Sequence, residues 1–126
     1  MKGLDTNVLV RYLVQDDPEQ SRIAARYIEA GACYINAIVL CELVWVLESA
    51  YRYPKDIVAS TMEKILMTGD FEIEDRDTAW QALGDYRGTK ADFADCLIVR
   101  RNTAAGCEET GTFDKRVKGI SKFRLL

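Results

Sequence analysis

The stretch MKGLDTNVLVRYLVQDDPEQ, residues 1–20, decides how the rest of the chain is interpreted. Gly3, Leu4 and Asp5 are typical of the end of a short buried strand, and Thr6 is predicted to cap the helix that follows. Apolar residues then recur at i, i+3 and i+4, as they do on the buried face of a helix. Asp5 therefore lies between a predicted strand and a predicted helix, where an acid would stand at the edge of a sheet.

The same alternation of strand and helix continues along the chain. Asp17 at the N-cap, Pro18 at the first helical position and Gly31 at the end mark a second helix. The other predicted helices begin near Asn36, Pro54, Asp77 and Phe93, and the other predicted strands cover residues 33–35, 71–74, 107–113 and 123–126. This order predicts an α/β fold with a mainly parallel central sheet of about five short strands, covered on both faces. No linker or repeat interrupts residues 1–126, which predicts a single domain.

The composition excludes several kinds of chemistry. The 126 residues carry a formal net charge of −3 at pH 7 and contain no histidine. A Ser-His-Asp triad, a Cys-His pair and an imidazole acid or base are therefore impossible. A zinc site would need four thiolates or carboxylates, and any catalysis would depend on carboxylates, Lys, Tyr, Cys or a metal ion.

The cysteines and the apolar segments indicate the cellular compartment in which we expect the protein. None of the four cysteines belongs to a CxxC pair: they are Cys33, Cys41, Cys96 and Cys107. Free thiols within apolar runs are typical of a reducing compartment. Asp5 and Arg11 interrupt the N-terminal apolar stretch, which is unlike a signal peptide. The longest apolar run, residues 37–47, contains Glu42 and is too short to span a bilayer, so we expect a soluble, cytoplasmic protein.

Two acids directly follow predicted strands. Asp5 comes after the first strand, and Asp114 comes after the strand that ends at Phe113. Ligands of parallel sheets bind beyond the carboxyl ends of the strands, so both acids are candidates for a site at that edge. The alternative is that each carboxylate only caps the helix behind it, a position that Asp often takes.

Three further acids occur in helical patterns. Glu42 lies within INAIVLCELVWVL, and a buried carboxylate is costly unless it is paired or bound to a metal. Its role would be structural if it met a buried Arg or Lys, or if it pointed into solvent. Asp92 and Asp95 in ADFADCL share one side of a helix near its N-terminus, where acids also stabilise the first turn. Asp95 lies nearer the apolar side and is the better candidate ligand.

A cluster of four carboxylates at one edge would need compensating positive charge. Oxygen ligands suit the hard ions Mg²⁺ and Mn²⁺, and a metal-activated water can attack a phosphodiester without an imidazole. Paired carboxylates also catalyse glycoside hydrolysis, but a cluster of four is better explained by metal binding. The predicted metal ligands and catalytic residues are Asp5, Glu42, Asp95 and Asp114.

Four segments, in their order along the chain, resemble a known family. MKGLDTNVLVRYLVQDDPEQ, the helix with Glu42, DFADCLIV and TFDK together are similar to the PIN domain, and specifically to VapC-type toxin ribonucleases of bacterial toxin–antitoxin pairs. The resemblance covers essentially the whole chain. It implies a three-layer α/β/α sandwich and a Mg²⁺- or Mn²⁺-dependent endoribonuclease. It also implies an RNA substrate, a cognate antitoxin and a homodimer.

The resemblance assigns roles to individual residues. The implied metal ligands are Asp5, Glu42, Asp95 and Asp114, with Asp92 as an auxiliary acid. Asn7 and Thr112 match polar neighbours that commonly flank the site acids. Val117 departs from the family pattern, because many relatives have an aromatic residue at that position. This departure concerns local packing more than chemistry.

The net charge is compatible with RNA as a substrate. Removing the four proposed acids from the net charge of −3 leaves +1, so much of the acidity lies in the proposed site. The basic residues predicted to contact RNA phosphates are Arg100, Arg101, Lys115 and Arg116. A solvated basic surface, or pairing with an acidic antitoxin tail, would explain the same residues.

Aromatic and apolar residues bear on protein partners. Trp45 falls on the long apolar helix and is predicted to lie in the core rather than at a contact. Further apolar residues exceed what one small core needs and are predicted to face another chain: Tyr51, Tyr53, Val58 and Met62. They are the residue-level basis for predicting a homodimer and an antitoxin groove.

Two other classes of function remain open. A phosphoacceptor receiver domain has a similar length and a parallel sheet, but it needs paired acids after its first strand and a central acceptor Asp. Here Asp5 stands alone before Thr6, and the central strand offers Glu72 and Glu74. The second alternative is a PIN-like domain that binds RNA or protein without cutting, which a failure to bind Mn²⁺ would favour.

Overall fold

Strands and helices alternate along residues 1–126 in the computed structural model of the protein. The strands are β1 (Lys2–Gly3), β2 (Cys33–Ile35), β3 (Phe71–Ile73), β4 (Thr110–Thr112) and β5 (Phe123–Leu125). The helices are α1 (Thr6–Val14), α2 (Pro18–Glu29), α3 (Ala37–Ser49), α4 (Lys55–Met67), α5 (Arg76–Gly88) and α6 (Phe93–Ala104). A short 3-10 turn covers Lys115–Val117. The predicted α/β class is confirmed.

Every strand pair is parallel, as the alternating pattern predicts. β2 lies between β1 and β3, with Cys33 opposite Phe71 and Ile35 opposite Ile73. β4 pairs separately with β5. The five strands therefore form two parallel ladders instead of one continuous hydrogen-bonded sheet. β1 has only two residues, and both are used to pair with β2.

A hydrophobic core of 30 buried residues joins the helices to the strands. Leu40, Leu43 and Leu47 place α3 in this core, and all three are fully buried. Phe93 fixes the start of α6 in the same way. Burying a side chain of this size contributes roughly 1.5–3 kcal/mol, so these residues determine where the two helices lie. No buried residue is polar or charged, so every candidate acid lies outside the core.

The helix starts confirm two of the predicted caps and correct a third. Asp17 caps α2, where its Oδ1 accepts the N–H of Gln20 at 3.0 Å. Asn36 caps α3 in the same manner. The prediction that Thr6 caps α1 is wrong, because Asp5 occupies the N-cap with an extended backbone and Thr6 is the first helical residue.

The long apolar helix α3 exposes one of its sides. Ile38 and Trp45 are 69% and 68% exposed, and Glu42 between them is also exposed. The prediction that Trp45 lies in the core is therefore wrong, and so is the premise that Glu42 is buried. Residues at i, i+4 and i+7 share one side of a helix, and this side of α3 faces away from the core.

A further correction concerns the surface predicted to face another chain. Val58 and Met62 on α4 are fully buried in the core, so they cannot reach a partner. Tyr51 and Tyr53 are half-buried and pack against the core between α3 and α4. Other large apolar side chains are exposed and could be covered by a partner, including Ile57 and Met67 on α4 itself.

The cysteines and the helix lengths complete the description. All four cysteines are free thiols, of which Cys33 and Cys96 are buried and Cys107 is exposed. Burial raises the pKa of the Cys96 thiol to about 12, so this group stays protonated. None of the helices combines the length and the apolar character that a membrane crossing requires.

Candidate active site

Asp5 and Asp114 each follow a strand, as the sequence predicts. Both carboxylates also cap the segment behind them. Oδ1 of Asp5 accepts the N–H of Val8 at 3.1 Å, and Oδ1 of Asp114 accepts the N–H of Arg116 at 2.9 Å. At Asp5 the cap uses one oxygen and leaves Oδ2 without a hydrogen bond. Capping and ligand binding are therefore compatible roles for this carboxylate.

A hydrogen bond connects the neighbourhood of Asp5 to helix α3. The hydroxyl of Thr6 donates to Oε1 of Glu42 at 2.7 Å. Because Thr6 directly follows Asp5, this bond fixes the acid on α3 beside the start of α1. We call Asp5, Thr6 and Glu42 the Glu42 half of the candidate site. Neither of its carboxylates forms a salt bridge.

The guanidinium of Arg116 bridges two other acids. Its Nη2 lies 2.7 Å from Oδ2 of Asp114 and 3.1 Å from Oδ2 of Asp92. Nη1 donates to Oδ1 of Asp92 at 3.2 Å, and Nε lies 3.1 Å from both oxygens of Asp114. A planar guanidinium that holds two carboxylates fixes their relative positions as well as balancing their charge. We call Asp92, Asp95, Asp114 and Arg116 the Arg116 half.

Asp92 occupies the N-cap of α6 without capping it. Its side chain accepts no hydrogen bond from the backbone of the helix. The carboxylate instead accepts both of its hydrogen bonds from Arg116. The contacts of Asp92 are therefore with the candidate site and not with the first turn of α6, where Asp95 lies.

The carboxyl groups of the Arg116 half differ in proton affinity. Partial burial, together with the nearby charges of Asp114 and Asp92, raises the pKa of Asp95. Hydrogen bonds from Arg116 lower the pKa of Asp114 to about 2. Asp95 and Asp114 are close enough for each to affect the pKa of the other. Additional positive charge beside this pair would favour the ionised form of Asp95.

The donor atoms of the candidate site suit a divalent cation. All the candidate ligands are carboxylates, and hard ions such as Mg²⁺ and Mn²⁺ prefer oxygen. Arg116 already places positive charge between Asp92 and Asp114. As the side chains stand, no three Asp, Glu or Cys residues are close enough to hold an ion. An ion held by the Arg116 half would share the carboxylates of Asp92 and Asp114 with Arg116.

The two predicted polar neighbours have different contacts. The hydroxyl of Thr112 accepts the N–H of Asp114 at 3.0 Å, which fixes the turn after β4. Asn7 is exposed on the first turn of α1. Thr112 thus supports an acid directly, whereas Asn7 lies beside Asp5 with its amide open to solvent.

A cavity of about 570 Å³ lies between α1 and α2, next to the Glu42 half. Asp5 and Asn7 form part of its wall. Ile23 and Tyr27 on α2 form another part, and they are 54% and 44% exposed. The cavity therefore combines an apolar surface with a polar end at the candidate site.

The basic residues predicted to contact RNA differ in their surroundings. Arg100 and Arg101 are held in ion pairs with acids outside both halves, at 2.7 and 3.0 Å. Lys115 is exposed and forms no salt bridge. Arg116 is engaged with the acids themselves. Of this set, only Lys115 has a cationic group that no carboxylate holds.

Sequence reasoning missed two contacts in the site. Thr6 was expected to cap a helix, but its hydroxyl holds Glu42. Arg116 was expected to meet RNA, but it bridges two acids of the protein. The available signal for Arg116 was its spacing of two residues from Asp114, which allows the backbone and the side chain to contact the same carboxylate.

Comparison with known proteins agrees with the fold. The model of the PIN domain family matches residues 3–122, which include both halves of the candidate site. The chain belongs to the PIN domain family. It is also 27% identical over 124 residues to the VapC ribonuclease of Aquifex aeolicus (strain VF5), a match that covers 95% of this chain and 92% of that protein. The resemblance identified from the sequence segments is confirmed.

Proposed function

We propose that the protein is a metal-dependent endoribonuclease. The proposed metal ligands and catalytic residues are Asp5, Glu42, Asp95 and Asp114, with Asp92 as an auxiliary acid. The observation that carries the proposal is the Arg116 bridge, which marks a place in a PIN domain where clustered carboxylates require positive charge. The name of the relative from Aquifex aeolicus supports RNA as the substrate.

The side chains of the candidate site would have different roles. Thr6 holds Glu42 beside Asp5, so both carboxylates of that half present oxygen atoms to solvent. Asp114 stays ionised because Arg116 lowers its pKa to about 2, whereas Asp95, with its raised pKa, holds a proton more readily. Mg²⁺ or Mn²⁺ bound by these carboxylates would attract the RNA phosphate and lower the pKa of a water molecule.

The proposal extends to the biological role as the toxin of a VapBC-type toxin–antitoxin pair in the cytoplasm. Its partners would be RNA and a cognate antitoxin protein. The apolar cavity beside Asp5 supports the second partner, because a bound antitoxin segment would cover Ile23 and Tyr27. A short upstream gene that encodes a DNA-binding antitoxin would support this role independently.

A homodimer of single-domain subunits, each formed by residues 1–126, is also proposed. Ile38 and Trp45 support it, since large apolar side chains exposed side by side on one helix often mark a protein interface. A second copy that covered them would lie beside Glu42, which is on the same side of α3. Light scattering of the purified protein measures the mass that tests this assembly.

The nuclease proposal is tested by incubating the purified protein with a structured RNA. We expect cleavage with Mg²⁺ or Mn²⁺, and loss of cleavage with EDTA and in Asp5→Asn. Asp70→Asn is the matched control, because Asp70 is exposed and precedes β3 at the opposite end of the strand from the candidate site. Cleavage that persists in EDTA or in Asp5→Asn would contradict the metal mechanism.

One observation favours a second candidate function, a PIN-like domain that binds RNA or protein without cutting. Arg116 already offsets one of the two negative charges of Asp92 and Asp114, and no three acids are close enough to hold an ion as they stand. Calorimetric titration with Mn²⁺ separates the two candidates. Absence of binding, together with retained binding of RNA, would favour the non-catalytic domain.

A further inference from the structure

A second cavity, of about 300 Å³, has Asp92 in its wall. It lies where the end of α3, the start of α4, the end of α5 and the start of α6 meet. Its wall consists of Glu48, Arg52, Tyr53, Lys55, Tyr86, Lys90, Ala91 and Asp92. Asp92 also belongs to the Arg116 half, so the cavity and the candidate active site share this residue.

The cations of this cavity are less engaged than its acids. Arg52 and Lys90 are exposed and form no salt bridge. Lys55 donates to the carbonyl oxygen of Thr89 and lies 4.9 Å from the centre of the Tyr86 ring, so its ammonium faces no carboxylate. Arg52 and Lys90 therefore have free hydrogen-bond donors, which favours an anionic ligand.

Both acids of the cavity already have hydrogen-bond donors. Glu48 accepts the hydroxyl of Tyr86 at 3.1 Å. Asp92 accepts from Arg116 at 3.1 and 3.2 Å. The hydroxyl of Tyr86 is neutral, so Glu48 keeps its negative charge, but the three cations of the wall (Arg52, Lys55 and Lys90) still exceed its two acids (Glu48 and Asp92) by one charge. Arg52 and Lys90, which form no salt bridge, therefore remain available to an anionic ligand.

An aromatic side chain accompanies these cations. Tyr53 is half-buried, and its ring lies 6.0 Å from that of Tyr51 at an angle of 48°. This contact holds the Tyr53 ring at the wall of the cavity, next to Arg52. Cations beside an aromatic ring are typical of surfaces that bind single-stranded nucleic acid, in which the phosphates meet the cations and the bases stack.

We infer that this cavity binds a backbone phosphate of the RNA strand next to the phosphate that is cut. Arg52 and Lys90 would donate to the phosphate oxygens, and Tyr53 would stack against a neighbouring base. The inference rests on the proposed ribonuclease function, because it is Asp92 that connects the cavity to the proposed metal ligands. It assigns substrate binding to residues outside the predicted RNA contacts Arg100, Arg101, Lys115 and Arg116.

The test compares RNA binding by the double variant Arg52→Ala/Lys90→Ala with binding by the unaltered protein. The probe is a fluorescein-labelled stem-loop RNA, measured by fluorescence anisotropy in EDTA so that binding is separated from cleavage. We expect the affinity to fall about tenfold, since phosphate contacts dominate the affinity for nucleic acid. The salt dependence should also weaken by about 1.4 in logarithmic slope, because each lost contact with a single strand removes about 0.7.

Two control variants make this result specific. Arg26→Ala/Lys64→Ala removes the same formal charge from exposed residues near the ends of α2 and α4. These helices lead into the amino ends of β2 and β3, whereas the candidate site follows the carboxyl ends of the strands. It should bind RNA like the unaltered protein. Arg52→Lys/Lys90→Arg keeps the charge of the cavity and should retain most of the affinity.

The outcomes separate the inference from the function on which it rests. Unchanged RNA affinity in Arg52→Ala/Lys90→Ala, or an equal loss in Arg26→Ala/Lys64→Ala, would overturn the inference. The first of these results would instead favour an acidic protein segment as the ligand of the cavity. If the double variant alone loses RNA but the unaltered protein never cleaves with Mg²⁺ or Mn²⁺, the RNA site stands and the nuclease proposal fails.

Discussion

The Glu42 half and the Arg116 half carry the same chemical groups but balance them differently. In the Glu42 half, a neutral hydroxyl, that of Thr6, holds Glu42, and Asp5 has an oxygen with no hydrogen bond. In the Arg116 half, one guanidinium bonds to Asp92 and Asp114 at once. One half is therefore open to an added cation, and the other contains a cation of its own.

This difference indicates how a chain without histidine can keep several acids close together. Partial burial and then the charges of neighbouring carboxylates raise the cost of ionising an acid in such a cluster, as the raised pKa of Asp95 shows. Arg116 reduces that cost for Asp114, whose pKa it lowers in the absence of any ligand. The same contact makes Arg116 a competitor of any metal ion that uses these two carboxylates.

The largest expected effect comes from removing one carboxylate charge from each half in turn. Glu42→Gln and Asp114→Asn should each slow RNA cleavage by about a hundredfold or more, a typical cost of losing one group that stabilises charge in a transition state. Cleavage of a labelled RNA under single-turnover conditions measures both rates. The matched controls are Glu29→Gln and Asp70→Asn, at exposed positions remote from both halves. Full activity in Glu42→Gln would show that the Glu42 half does not belong to the site.

An intermediate effect is expected from removing the internal cation. Arg116→Ala should bind Mn²⁺ about tenfold more tightly, equivalent to about 1.4 kcal/mol, because no guanidinium then competes for Asp92 and Asp114. Isothermal titration calorimetry measures the change. Arg124→Ala serves as the control, since Arg124 pairs with Glu109 at 3.1 Å in an exposed bridge away from the acids. Weaker Mn²⁺ binding in Arg116→Ala would mean that Arg116 orders the acids for the ion.

The smallest effect concerns the acid that Arg116 does not reach. The raised pKa of Asp95 means that its ionised form is less favourable in the folded protein than in the unfolded chain. Asp95→Asn should therefore raise the melting temperature near neutral pH by roughly 2 °C. The gain should disappear as the pH falls below 3.8, the ordinary Asp value, because Asp95 is then protonated in both states.

Thermal unfolding followed by circular dichroism across this pH range measures the effect. Asp70→Asn controls for the loss of one surface charge and should show no comparable gain. A lower melting temperature in Asp95→Asn near neutral pH would show that the ionised carboxylate stabilises the fold, contrary to the direction of its pKa.

The sequence could predict elements whose signals are local. The caps at Asp17 and Asn36 lie within three residues of the N–H groups that they bind, so spacing alone located the starts of α2 and α3. Strand-end acids such as Asp5 and Asp114 are also visible, because the order of elements determines where they lie. The exposed side of α3 was not visible, since its apolar residues occur on every side of the helix.

The contacts that organise the candidate site connect distant residues. Thr6 and Glu42 are 36 positions apart, and Asp92 and Arg116 are 24 positions apart. Neither pair has a spacing that a helix or a turn would produce, so the choice of partner depends on how the elements pack. Residue type and order were therefore enough to find the acids, but not to find which groups hold them.

The short distance between Asp114 and Arg116 has a consequence for the order of synthesis. Asp5, Glu42, Asp92 and Asp95 precede Asp114 along the chain, so they are synthesised before the last acid of the set. Arg116 follows Asp114 by two residues and contacts its carboxylate through both the backbone N–H and the guanidinium. Asp114 can therefore take its folded position with the charge of Arg116 beside it and without a bound metal ion. Folding of the acid cluster would then not depend on metal, and binding of the proposed ion would be a separate, later event.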